Sequence, residues 1–414
     1  MAMRDKILFI SILCFIATLL FPINNAISMA IAVVLIIASL FYTPIKEKLF
    51  LLKERKVIWY MLAFMAMVLI SVLFSENRNR AFRYLDPRLP LLFFPLTIGL
   101  LPLSKSFRDK ALLGIAVLVT LFSFACLTWA IYRSVAFHNS SYLYNDALTD
   151  LSGQQSIYIS LLVNISIYIY TWFLFYKPLS LGYKILLASA ILFLFAISFL
   201  LASRNLMLLL YASTIGFAFY YIFKRRKYLE GVTLIIGLFL GVFLIFKFFP
   251  KTLNRFKELA YTQFNYGSLS KESHYAMDVT KDQWNGANFR LAAWRCGWEL
   301  FLQNPVTGVD IGDKKDRLME MYQSKNFQFA IKTEKNLHNN YLDILVSMGL
   351  IGLVLFLSGW VIFPLLIAWR RRDNLSLLII FTFAFAMITE VYLDRSLGGM
   401  LLGLFIPFLL SQKL

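Results

Sequence analysis

Long apolar stretches, parted by short polar ones, recur along nearly the whole chain. They run over 6–22, 25–43, 57–74, 88–103, 110–132, 154–176, 181–201, 205–223, 231–249, 340–368, 375–393 and 396–412. Each is close to or above the roughly 17 residues that a helix needs to cross a bilayer. The pattern predicts an all-α polytopic membrane protein with about twelve transmembrane helices, nine in 1–249 and three in 338–414. Pro90, Pro95 and Pro102 predict a kink or break in the fourth stretch, because proline removes a backbone donor and clashes with the preceding turn. Ala202-Ser203-Arg204-Asn205 predicts a tight turn between 181–201 and 205–223. The first stretch follows Arg4 and Lys6 as a signal peptide would, but no small-x-small site follows it, so it reads as a retained helix. No repeat of 20–50 residues is visible.

The exception is 250–337, a polar segment too long for an idle connector. Within it Phe289–Gln303 reads as an amphipathic helix stopped by Asn304-Pro305 and Gly308. Arg317–Phe329 reads as a second, weaker helix. The expectation is a small helical cap on one membrane surface.

Composition excludes a soluble protein of this size: 59% of residues are hydrophobic and 15% charged, with a mean hydropathy of +0.68. The net charge of +18 would point to nucleic acid in a soluble chain. Here it falls into place as the positive-inside rule, so no nucleic-acid partner is expected and membrane lipids are. Six basic segments alternate along the chain: Arg4/Lys6, 46–56, 105–110, Lys177/Lys184, 224–227 and 370–372. All lie on one side if both termini are cytoplasmic, which leaves the cap outside. The reading is a multi-pass membrane protein with the cap on its outer, extracytoplasmic face. Cys14, Cys126 and Cys296 make neither a disulfide framework nor a metal-spaced cluster.

Some cations are not explained by topology. Arg78, Arg80, Arg83 and Arg88 sit in an outer loop, Arg204 in an outer turn, and Arg290 at the start of the amphipathic helix. Arginine binds phosphate oxygens through a planar fork, so these residues point to a diphosphate at the outer surface. Arg78 and Arg80 also read as solvated loop charges, and Arg204 as a snorkelling helix-end cation. His338, between the polar segment and the apolar run after it, is placed on the first turn of a spanning helix. Half shielded there, it is a candidate general base. Asp343, five residues on, faces away from it. Glu390 and Asp394 share a face near the outer end of their helix. A carboxylate there needs a basic partner or a substrate hydroxyl, and the sequence does not identify His338's own partner. Trp294, four residues after Arg290, reads as a sugar platform or an interfacial anchor. His138 and His274 read as surface residues. There is no phosphate-binding glycine loop, HExxH, GxSxG or DxD-type clamp, so no metal and no cofactor is expected.

Arg290-Leu-Ala-Ala-Trp294, Asn304-Pro305-Val-Thr-Gly308-Val309, His338-Asn-Asn-Tyr341-Leu342 and Gly349-Leu-Ile-Gly352 together resemble the signature of the O-antigen ligase and polymerase superfamily. Arg88-Leu-Pro and Ser203-Arg204 resemble its earlier segments. Two departures stand out: the family often has Lys-Arg where this chain has Pro87-Arg88, and its Gly-Val-Gly turn is Gly308-Val309-Asp310 here. The resemblance implies a GT-C-like glycosyltransferase. It would take a glycan from an undecaprenyl-diphosphate-linked donor and join it to a sugar hydroxyl of a lipid A–core acceptor. His338 would be the catalytic base and Arg88, Arg204 and Arg290 would bind the diphosphate. Glu390, Trp294 and Tyr341 would support the acceptor. Direct attack would invert the anomeric centre. An O-antigen polymerase is the alternative, followed by a protein O-oligosaccharyltransferase. A lipid-linked glycan transporter would instead place charges at the bilayer midplane. The lysines of 314–335 favour the ligase, because lipid A–core is anionic.

Overall fold

Among the described residues the chain is built of helices and no strand forms. The computed structural model describes residues 2–21, 23, 25–224, 226, 228–248, 256–270, 272–273 and 283–412. His274 lies outside them.

The first part comprises α1 (Met3–Leu20), α2 (Asn25–Tyr42), α3 (Ile45–Glu54), α4 (Val57–Phe74), α5 (Arg78–Leu85), α6 (Pro90–Thr97) and α7 (Lys105–Ala136). Next come α8 (Ser156–Tyr176), α9 (Leu181–Leu201), α10 (Arg204–Lys224) and α11 (Tyr228–Phe248). The cap supplies α12 (Asn288–Gln303), α13 (Lys314–Ser324) and α14 (Gln328–Thr333). The chain then returns through α15 (Asn340–Arg370), α16 (Asn374–Ala386) and α17 (Ser396–Leu410).

Among the described residues six helices, α4, α7, α8, α9, α10 and α15, are long and apolar enough to cross a membrane, or seven if the bent pair α2–α3 is one span. Several such helices point to a multi-pass membrane protein. The other expected stretches fall short for local reasons. α1 begins with Arg4, Asp5 and Lys6. α6 stops at Thr97 after its prolines and gives way to a short 3-10 turn. α16 and α17 are shorter than a span. α17 is nevertheless buried almost throughout, because Gly399 and Gly403 let it lie against the carbonyls of Pro87 and Pro90, where a Cβ would collide. The basic segment after α2 is not a loop. It forms α3, turned by 92° from α2, and Lys48 donates back to the carbonyls of Ser39 (2.8 Å) and Leu40 (2.7 Å) at the end of α2.

The cap has its own apolar core, built on Trp284, Phe289, Tyr322 and Phe327 and reaching Leu342 and Val346 of α15. The expected second cap helix is two helices. Asn326 takes a left-handed conformation (φ 55°) between α13 and α14, and Phe327 turns into the core. A backbone clasp joins cap to membrane helix. α15 breaks at Gly349 (φ 63°, ψ −163°), and the Asn304–Asp310 turn satisfies the interrupted ladder. The N–H of Leu350 donates to Pro305 O (2.9 Å), that of Ile351 to Val306 O (3.3 Å), and that of Val309 to Val346 O (2.9 Å). A Cβ at Gly349 would strike the Val306 carbonyl, so no other residue fits. Asp310, the departure from the family's Gly-Val-Gly, accepts a hydrogen bond from Ser71 at 2.9 Å and so ties this turn to α4.

Candidate active site beneath the cap

The approach to His338 is fixed residue by residue. Leu337 is buried in the cap core, and its carbonyl accepts from Trp294 Nε1 at 2.9 Å. Asn339 is the helix N-cap: its side-chain oxygen accepts from the N–H groups of Tyr341 and Leu342, both at 3.0 Å. α15 therefore starts at Asn340, and His338 sits one residue outside the cap, not on the first turn as expected. It adopts a left-handed backbone (φ 46°), uncommon for a residue with a side chain, and its N–H is held by Asn336 Oδ1 at 3.1 Å. Such conformations persist where surrounding structure enforces them, often at functional sites.

The partner missing from the sequence is Glu390, in the turn after α16. Its Oε2 lies 2.9 Å from Nδ1 of His338, and its Oε1 accepts from the Val391 N–H at 3.1 Å. Burial pushes the Glu390 carboxyl up. The hydrogen bond and charge of His338, with the charge of Arg290, outweigh that and hold it below the usual carboxylate range. An Nδ1–H donated to Glu390 leaves Nε2 with its lone pair available to accept a proton. The ring of Phe289 meets the imidazole edge to face at 5.8 Å.

His338 and Glu390 line a cavity of about 570 Å³, together with Arg204, Arg290, Trp294 and Thr389. The two arginines arrive from different elements, α10 and α12, and converge over Gly286. A Cβ there would collide with the tip of Arg204 and lie 3.0 Å from Nη1 of Arg290. Arg290 is oriented by two carbonyls, donating from Nε to Thr389 O (3.2 Å) and from Nη1 to Gly286 O (2.6 Å). Asn205, beside Arg204, donates to Phe385 O (2.9 Å) and Thr389 Oγ1 (3.0 Å). The Thr389-Glu390 turn is thus the hub on which Asn205, Arg290 and His338 meet. Gly286, Asn205 and Thr389 escaped sequence reasoning. Only Asn205 carried a signal, as the polar residue next to the Ser-Arg turn.

Two of the expected site residues, Arg88 and Tyr341, lie elsewhere. Arg88 does not line this cavity. It is fully buried and donates to Tyr84 O (2.6 Å) and Asp394 Oδ1 (3.0 Å). Lys314 joins the same network, 2.6 Å from Asp343 Oδ2 and 2.7 Å from Asp394 Oδ1. Burial pushes Lys314 down, but the two aspartates more than offset it and the net shift is upward. The network ties α5, α13, α15 and the turn before α17 together. Tyr341 also lies outside the cavity, donating its hydroxyl to Ala384 O at 2.6 Å. Trp294 lines the cavity, but its indole N–H is spent on positioning Leu337. Arg80 pairs with Asp316.

Most cap lysines, Lys332 excepted, are paired with carboxylates and do not stand open toward His338. Lys314 is buried as described, Lys315 pairs with Glu334 (2.5 Å), Arg317 with Glu320 (3.3 Å), Lys325 with Glu299 (2.6 Å), and Lys335 with Glu272. This weakens the electrostatic ground for preferring an anionic acceptor, because paired surface charges project little net field. Among the described residues no group of three or more His, Cys, Asp or Glu is placed to hold a metal ion.

Chemically, the cavity offers two forked cations and an imidazole backed by a carboxylate, at the membrane end of a cap. Residues 188–357 match the family model described as O-antigen ligase. The match runs from within α9 to α15 and takes in Arg204, Arg290, Trp294 and His338. No curated protein matches the chain.

Proposed function

On the premise that residues 188–357 are an O-antigen ligase domain, we propose that this protein is a glycosyltransferase moving an O-antigen glycan from undecaprenyl diphosphate to a sugar hydroxyl of lipid A–core. The observation that carries the reading is the convergence of Arg204 and Arg290 in the cavity lined by the His338–Glu390 pair.

In the proposed reaction His338 Nε2 takes the proton of the acceptor hydroxyl. The hydroxyl oxygen bonds to the anomeric carbon as the bond from that carbon to the diphosphate breaks. Glu390 stabilises the imidazolium that forms. The leaving undecaprenyl diphosphate takes the electron pair, and the guanidinium forks of Arg204 and Arg290 neutralise its growing charge. A single displacement inverts the sugar. The diphosphate role is assigned to Arg204 and Arg290 and no longer to Arg88, which is spent on Asp394 and Tyr84. With two arginines for the diphosphate, the reaction needs no divalent ion and should run in EDTA.

The proposed setting is a GT-C-like protein of the bacterial inner membrane with about twelve crossings, the shorter helices included, and the cap in the periplasm. Reporter fusions within the cap and at the C-terminus test this orientation, and a cytoplasmic signal from the cap would overturn it.

An O-antigen polymerase would use the same donor and cavity, and the pairing of most cap lysines narrows the electrostatic preference for the ligase. The lipopolysaccharide profile of a deletion strain separates the two. Loss of a ligase leaves bare lipid A–core on the gel and full-length polymer on the carrier lipid. Lipid A–core capped with one repeat unit would identify a polymerase.

A further inference from the structure

A second cavity, of about 520 Å³, lies at the opposite end of α4 and α15 from the His338 site. α4 runs from this cavity at Val57 toward the cap at Phe74, and its 18 residues span about 27 Å. The cavity belongs, therefore, to the other membrane surface.

Its charge is one-sided. Arg55, Lys56, Arg370 and Arg371 line it, with Glu54 as the one carboxylate. Arg55 is only 8% exposed. It donates to Leu101 O and Ser411 O, both at 3.0 Å, and to Gly99 O. Arg371 donates to Leu410 O at 3.2 Å. Carbonyls fix both guanidinium groups without neutralising them, and among the described residues neither forms an ion pair. Buried Nε of Arg55 has no hydrogen-bond partner. Burial first, and the charge of Arg371 second, push Arg55 down to about 10. Asp373, whose charge reaches Arg371, is already ion-paired with Arg108, so Arg55 and Arg371 share the pocket with little counter-charge, which is costly unless an anion joins them.

The walls point to the kind of anion. They are mostly apolar, with Tyr60 packed on Phe363 at 4.6 Å between ring centroids. Trp59 and Trp369 nearby are 54% and 72% exposed, as aromatic residues at a bilayer interface are. A free anion gains nothing from such walls, whereas a lipid phosphate brings acyl chains that do.

We propose that this pocket binds the headgroup phosphate of an anionic glycerophospholipid in the leaflet opposite the His338 cavity. The proposal rests on the chain spanning a membrane and not on the transfer reaction.

The test uses full-length protein purified from vesicles of equal phosphatidylglycerol and phosphatidylcholine, with retained lipid read by native mass spectrometry. Lys56 and Arg370 are exposed, so Lys56→Gln/Arg370→Gln should fold. Wild type should retain phosphatidylglycerol selectively, and the double variant should lose that selectivity by about fivefold per cation, roughly 25-fold in all. The same charge change at Lys105→Gln/Lys184→Gln should leave selectivity intact. Equal retention of both lipids by wild type would overturn the proposal. So would equal loss in the control variant, which would mean general surface potential. Displacement of the lipid by millimolar inorganic phosphate would overturn the lipid assignment in favour of a free-anion site.

Discussion

Glu390 Oε2 stands 2.9 Å from His338 Nδ1, although 52 residues separate them in sequence. The carboxylate fixes which imidazole nitrogen is left for chemistry. Glu390→Gln keeps the size but loses the charge, and should lower kcat by less than the removal of the base itself while leaving donor KM unchanged. Glu390→Asp should recover part of the loss. Because Glu390 is held below the usual carboxylate range, its support of an imidazolium is present at neutral pH and fades only as pH falls through that depressed value. Wild-type turnover should thus show no acid limb from Glu390 above about pH 4.5. An unchanged kcat in Glu390→Gln would remove it from the mechanism.

His338→Ala should cost about 10²–10⁴-fold in transfer, the usual worth of a general base. The variant also strips the largely buried Glu390 carboxylate of its hydrogen-bond partner, so a stability loss of about 1–3 kcal/mol should accompany the kinetic one. Since His338 holds a left-handed backbone, His338→Asn is the better control, as asparagine tolerates that conformation. Near-normal transfer by either folded variant would sink the base assignment.

Arg204→Lys and Arg290→Lys keep charge but lose the fork, so both should lose most donor turnover. Gly286→Ala makes the sharper test. The added methyl would strike the tip of Arg204 and crowd Arg290, both flexible ends that can move without unfolding the cap. Donor KM should rise while the thermal transition stays put. Wild-type KM in Gly286→Ala would mean that the two guanidinium groups need not converge there.

Lys314 lies buried between Asp343 and Asp394. Lys314→Met would leave three charges that no longer balance and should cost about 3–5 kcal/mol. Lys314→Met/Asp343→Asn restores a neutral Arg88–Asp394 pair and should recover part of it. Thermal unfolding in detergent reads both. Equal loss in the single and double variants would show that packing, not charge, is what Lys314 supplies.

The sequence by itself determined the helical, membrane-adapted character of the chain, because hydrophobic run length is a local property that the bilayer reads directly. The turn at 202–204, the proline break near 90–97 and the helix over 288–303 were legible for the same reason: each rests on residues adjacent in the chain. His338, Arg204 and Arg290 were legible as chemical types out of place. What joins them was not. Glu390 as the imidazole's partner, Gly286 as the floor beneath two arginines, and the assignment of Arg88 and Lys314 to a buried network all depend on contacts between distant segments. Nothing in local periodicity encodes a pair 52 residues apart, or one 306 apart as for Arg88 and Asp394. Even the position of His338, one residue before the N-cap of its helix, was settled by where Asn339 could cap α15 while Leu337 stayed in the core of the cap. Tertiary packing decides which of several charged residues face a cavity and which neutralise one another, because burial makes an unpaired charge too costly to leave to local sequence.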